Sequence, residues 1–117
     1  MINYKVNLAI VYSHCGSAIV LTRVIELPFV PYFGLTIISY KDGDLEFTID
    51  ENNTSISYNL EEGFYIEKHE NLSRYEWETL SEEIHYLLSA GWIIDSDYSR
   101  IKEVIRYMRN QDYVNNQ

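Results

Sequence analysis

Between Leu35 and His69, apolar residues fall at every second position in successive runs. This constrains the chain more than any other feature, because a strand with alternating side chains does not tolerate a slip of one residue. Asp42-Gly43 separates the first two runs, and Asp and Gly accept the positive φ that a two-residue hairpin turn requires. Pairing outward from that turn sets Tyr40 opposite Leu45, Ile38 opposite Phe47 and Thr36 opposite Ile49. A second reversal at Asn52-Asn53 brings Ile49 opposite Ile56, Phe47 opposite Tyr58 and Leu45 opposite Leu60. A third at Glu61-Glu62-Gly63 sets Leu60 against Phe64 and Tyr58 against Ile66. All three reversals agree on one apolar face. The other face carries Ser39, Lys41, Asp44, Glu46, Thr48, Asp50, Ser57, Asn59, Tyr65 and Glu67, and suits solvent or a polar partner.

Upstream, Tyr4, Val6, Leu8, Ile10 and Tyr12 alternate with Lys5, Asn7, Ala9 and Val11. Ser13-His14-Cys15-Gly16 breaks the pattern, and Ile19 to Leu27 resumes it. The reading is a hairpin of two long strands whose faces are both fairly apolar, as in strands that are central or covered. Pro28 and Pro31 then remove two ladder donors and force a corner. After His69 the apolar period lengthens to that of a helix. Ser73 and Glu76 form a capping-box pattern, Leu72 and Trp77 a hydrophobic staple, and Gly91 a left-handed stop. Trp77, Leu80, Ile84, Leu87 and Leu88 make that helix's buried stripe, and Ile101, Val104, Ile105 and Met108 make the stripe of a second helix. The expected fold is therefore α+β: a six-stranded antiparallel meander, able to curl into a partial barrel, followed by two C-terminal helices on one face.

At 117 residues the chain is expected to form a single domain, residues 1–117, with a core sufficient without staples. The lone Cys15 allows no internal disulfide. Residues 6–22 carry no charge, but Asn7, Ser13, His14, Gly16 and Ser17 interrupt them, which argues against a signal peptide or a membrane span. The expectation is a cytoplasmic protein. Net charge is −9, and residues 42–83 hold 13 acidic and two basic residues. Such a field repels nucleic acid and anionic membranes and draws basic partners or cations.

Chemistry is sparsely written. His14 and Cys15 are adjacent, and neighbours on an extended chain point to opposite faces, so a turn bearing an inert thiol is the expectation. Glu82 and His85 have a metal-like spacing but lie opposite the buried stripe. Asp42, Asp44, Glu46 and Asp50 have the composition of a calcium loop, yet Phe47 stands where its glycine belongs. No acid, base and nucleophile converge, and no enzyme, metal or cofactor is expected.

The 11 tyrosines are an excess, and tyrosine favours interfaces because it joins apolar area to a polar tip. The leading expectation is a non-enzymatic protein that docks on a basic partner through Glu46, Glu67, Glu78, Glu82, Tyr65, Tyr75 and Tyr86. Its sharper form is an inhibitor whose carboxylates stand in for phosphates in a nucleic-acid-binding groove. The alternative is a small-molecule or nucleotide site in a cup between sheet and helices, lined by Tyr40, Phe47, Tyr58 and Phe64 and closed by Trp77.

Overall fold

In the computed structural model, which describes residues 2–41 and 43–95, strands β1 (Tyr4–His14) and β2 (Ser17–Leu27) form the expected long hairpin. Cys15 and Gly16 link them with φ of 47° and 81°, the left-handed pair that a two-residue turn needs. The chain then rounds the proline corner, where Pro31 is buried, into a separate two-stranded sheet of β3 (Thr36–Ser39) and β4 (Leu45–Thr48). It returns to the first sheet as β5 (Thr54–Asn59) and β6 (Gly63–Asn71). Two short helices, α1 (Arg74–Glu78) and α2 (Leu80–Ser89), and a two-residue strand β7 (Ile93–Ile94) follow.

The six-stranded antiparallel meander does not form. Among the described residues the main sheet has five strands in the order β5-β6-β1-β2-β7, and β6 lies parallel to β1, with Leu8 beside Ile66 and Ser13 beside Asn71. β1 is apolar on both faces and gains more from a partner at each edge than an outer position allows. As a result β4 and β5 lie in different sheets, and the expected pairing of Ile49 with Ile56 is absent. The chain does reverse near Asn53, where the amides of Asn53 and Thr54 donate to Asp50 O. The sheet is mixed and open rather than a closed barrel.

Both remaining registers also differ from expectation. In the β3–β4 hairpin Phe47 faces Ile37, not Ile38, because residues 40–44 form a longer connection than the two-residue turn. Ile37 is thereby 9% exposed, whereas Ile38 and Tyr40 are 55% and 72% exposed. In the β5–β6 hairpin the pairing shifts by two residues, setting Ile56 against Ile66 and Tyr58 against Phe64. There the Asn59 carboxamide oxygen accepts from the amides of Glu61 and Glu62, both at 2.9 Å, and Gly63 takes φ 90°. A shift of two keeps each side chain on its face, so Ile66 is still buried.

One hydrophobic cluster joins Val6, Leu8, Ile10 and Tyr12 of β1 with Ile19 and Leu21 of β2, Ile66 of β6, the hairpin residues Leu45 and Phe47, and Leu80, Ile84 and Leu87 of α2. The helix start is as expected. Ser73 Oγ accepts from the Glu76 amide at 3.2 Å, and the Glu76 carboxylate accepts from the Ser73 amide at 3.1 Å. The single expected helix is divided at Thr79 into α1 and α2. Gly91 has φ 97°, and the Trp92 amide folds back to Leu87 O at 3.0 Å. The second helix expected over Ile101–Met108 lies outside the described residues. No helix among the described residues is long and apolar enough to cross a membrane.

Candidate functional site

The inward row of β6 begins as core and ends as charge. Phe64 and Ile66 pack with the cluster, and the same parity then presents Lys68 and Glu70 beside Ile10 and Tyr12 of β1. A charged pair in an inward row cannot be enclosed without cost, so the core opens at this point. The opening is a cleft of about 550 Å³, walled by Asp44, just before β4, by Glu46 and Thr48 of β4, and by Glu76, Glu83 and Tyr86 of the two helices. Its floor is Phe47 stacked on Trp92, with ring centroids 6.2 Å apart.

Among the described residues, five carboxylates line this cleft: Asp44, Glu46, Glu70, Glu76 and Glu83. Lys68 is the one cation among its described lining residues. Its Nζ lies 4.5 Å from the centroid of the Phe47 ring. Burial lowers the Lys68 pKa, against the opposing pull of Glu70 and Asp50. The Tyr12 hydroxyl donates to Glu83 Oε1 at 2.9 Å, and burial, then Glu83, raises its pKa far above the ordinary value. The hydrogen bond from the Ser73 amide, and after it the Ser73 side chain, hold the Glu76 carboxyl below the ordinary carboxylate range. The cleft can thus hold a cationic group against carboxylates over an aromatic floor, and it repels anions.

Of the expected partner-binding residues, Glu46 and Tyr86 border this cleft. Tyr65 and Glu67 point to the other face of the main sheet, beside a groove of about 390 Å³ that includes Ala9, Val11 and Val20. Glu67 is engaged there by His69 at 2.9 Å. Glu78 pairs with Arg74 at 3.0 Å, and Tyr75 and Glu82 are exposed on α1 and α2. The expected ligand cup is placed differently as well. Phe47 is buried in the cleft floor, but Tyr40 and Tyr58 are exposed, Phe64 packs on Tyr58 at 4.7 Å, and Trp77 stacks on His14 at 6.0 Å.

Reasoning from sequence missed Tyr12, Lys68, Glu70, Glu76 and Glu83 as members of one site. The available signal was the parity of β6, where Lys68 and Glu70 fall on the positions of Phe64 and Ile66. Cys15 is exposed in its turn, while His14 Nδ1 lies 2.8 Å from Leu72 O. Among the described residues, no three His, Cys, Asp or Glu side chains are arranged to hold a metal ion. Comparison with protein-family models, curated proteins and solved structures finds no match.

Proposed function

We propose that this chain is a non-enzymatic interaction protein that docks on a basic partner, with a lysine or arginine side chain of the partner entering the acidic cleft. The observation that carries the reading is the gathering, among the described residues, of five carboxylates from the start of β4, β6, α1 and α2 around one cleft that holds one described cation, Lys68. Like charges so placed repel one another, and a bound cation relieves that repulsion while the carboxylates beyond the cleft steer its approach. In the finer form of the proposal, the partner is a nucleic-acid-binding protein and the carboxylates occupy its groove as phosphates would.

The cleft volume, about 550 Å³, also falls in the range of small-molecule sites and favours a second reading, a small organic cation bound between sheet and helices. The lining carboxylates argue against a nucleotide there, because its phosphates would add to the negative charge.

Titration calorimetry with oligolysine tests the leading reading. Replacing Asp44 by Asn together with Glu46 and Glu70 by Gln should weaken binding by about tenfold or more, and added salt should weaken it further. Affinity that ignores both changes would remove the proposal. Binding of a small polyamine in preference to oligolysine would support the second reading instead.

A further inference from the structure

β5 is an outer strand of the main sheet, and among the described residues its sheet neighbour is β6 alone. Outer strands present unpaired N–H and C=O groups, and folded proteins usually guard them with charge, proline or a bulge. β5 has none of these. Residues 54–60 contain no charged residue and no proline, and the pairing with β6 runs residue for residue. Ser55, Ser57, Tyr58 and Asn59 are exposed. The charges stand instead at the strand's two ends, with Glu51 before it and Glu61 and Glu62 after it, all exposed. Lys5 pairs with Glu62 at 3.4 Å.

We propose that β5 receives an extended segment of a partner protein, lying antiparallel along it, with a neutral strand-forming centre and a lysine or arginine at each end. Main-chain hydrogen bonds supply the pairing, and the end charges select the occupant. A second copy of this chain is the obvious competitor. Laid antiparallel over the whole strand, it sets Thr54 against Asn59 and Glu51 across from Glu62 at both ends, and it brings a further charge of −9. A segment with basic ends turns the same carboxylates into attractive contacts. The inference shares only the sign of the partner's charge with the preceding reading and uses no residue of the cleft.

The test is titration of the isotope-labelled full chain with the end-blocked synthetic peptide Lys-Lys-Thr-Val-Thr-Val-Thr-Lys-Lys, read by amide chemical shift and hydrogen exchange. Exchange at β5 amides should slow by about tenfold or more at saturation. The effect should vanish with a peptide ending in glutamates, with Ser57→Lys, which sets a charge in mid-strand, and with Glu61→Lys. Unchanged amide shifts away from β5 establish that both variants fold. No perturbation along β5 at about 1 mM peptide, an affinity of only about −4 kcal/mol, overturns the proposal, as does an equal response to the glutamate-ended peptide. Concentration-dependent dimerisation that Ser57→Lys abolishes also overturns it, and assigns the edge to a second copy. Loss of oligolysine binding in the cleft variants leaves this result untouched, so the two proposals fail separately.

Discussion

The Tyr12 hydroxyl on β1 donates to the Glu83 carboxylate on α2 across 2.9 Å, tying the main sheet to the helical wall of the acidic cleft. The donor is buried and the acceptor exposed. That asymmetry decides which partner can be lost cheaply. Glu83→Ala leaves a buried hydroxyl without its acceptor and should cost about 1–3 kcal/mol, whereas Tyr12→Phe leaves a carboxylate that water can solvate and should cost about 1 kcal/mol. In urea unfolding the double variant should lie close to Tyr12→Phe alone. Strict additivity of the two losses would show that the pair contributes nothing.

The capping box should appear as a pH-dependent difference. Ser73→Ala removes the acceptor of the Glu76 amide and should cost about 1 kcal/mol at neutral pH. Glu76 has a folded-state pKa below its ordinary 4.5, so its stabilising contribution is present above that value and is lost as pH falls through the lower one. Thermal melts of the wild type and Glu76→Gln should therefore converge on acidification. A gap that stays constant below pH 4.5 contradicts the assignment.

The one-residue displacement in the β3–β4 hairpin can be tested by a pair of substitutions. Ile37→Ala should cost about 2–4 kcal/mol, because the side chain faces Phe47 in the core, and Ile38→Ala should change stability by no more than about 0.5 kcal/mol. The register read from the Asp42-Gly43 turn alone demands the reverse order.

That hairpin also marks the limit of what the residues disclosed in advance. Local chemistry was legible: the capping box at Ser73 and Glu76 and the stop at Gly91 form as their side chains dictate, and the β1–β2 reversal falls within the break read at residues 13–16, though β1 runs on through His14 and Cys15 takes φ 47°. Pairing between distant segments was not. Nothing in Phe64–Asn71 announces that it will lie parallel to β1, because turn residues specify only neighbours in sequence. The cleft was hidden for the same reason. Glu70 and Glu83 are both visible as acidic residues, but only the parallel register that sets Tyr12 beside Glu70 brings them to one opening. An acidic middle segment could be counted, but not localised.

Gly43 should be intolerant of any side chain. Its φ is 100°, and a Cβ there would come 2.4 Å from the carbonyl oxygen of Ala90, at the end of α2. The hairpin tip is seated on backbone, which cannot give way as a flexible side chain would. Gly43→Ala should cost roughly 2–4 kcal/mol, combining the left-handed backbone with the clash. Gly16→Ala shares only the positive φ, with nothing within 4 Å of its Cβ, and should cost about 1 kcal/mol. Denaturant unfolding of the two variants separates the contributions.

Lys68 lines the acidic cleft, so under the proposed docking its removal should strengthen binding. Lys68→Met keeps an apolar side chain of similar length and deletes the one positive charge among the described cleft residues, so oligolysine affinity should rise about five- to tenfold at moderate salt. Stability supplies an independent check with a definite sign. Because burial disfavours the ammonium, the folded chain holds this proton less tightly than the unfolded chain, and stability should rise as pH climbs through the lowered pKa towards the ordinary 10.5. Tyr12 carries the opposite sign: its proton is favoured by folding, and its contribution is intact until pH passes 10.0, where tyrosine ionises in the unfolded chain. Between neutrality and pH 10.0 the wild type should therefore gain stability relative to Lys68→Met. A flat difference across that interval, together with unchanged oligolysine affinity, would mean that Lys68 points into solvent and neither fills the cleft nor competes for it.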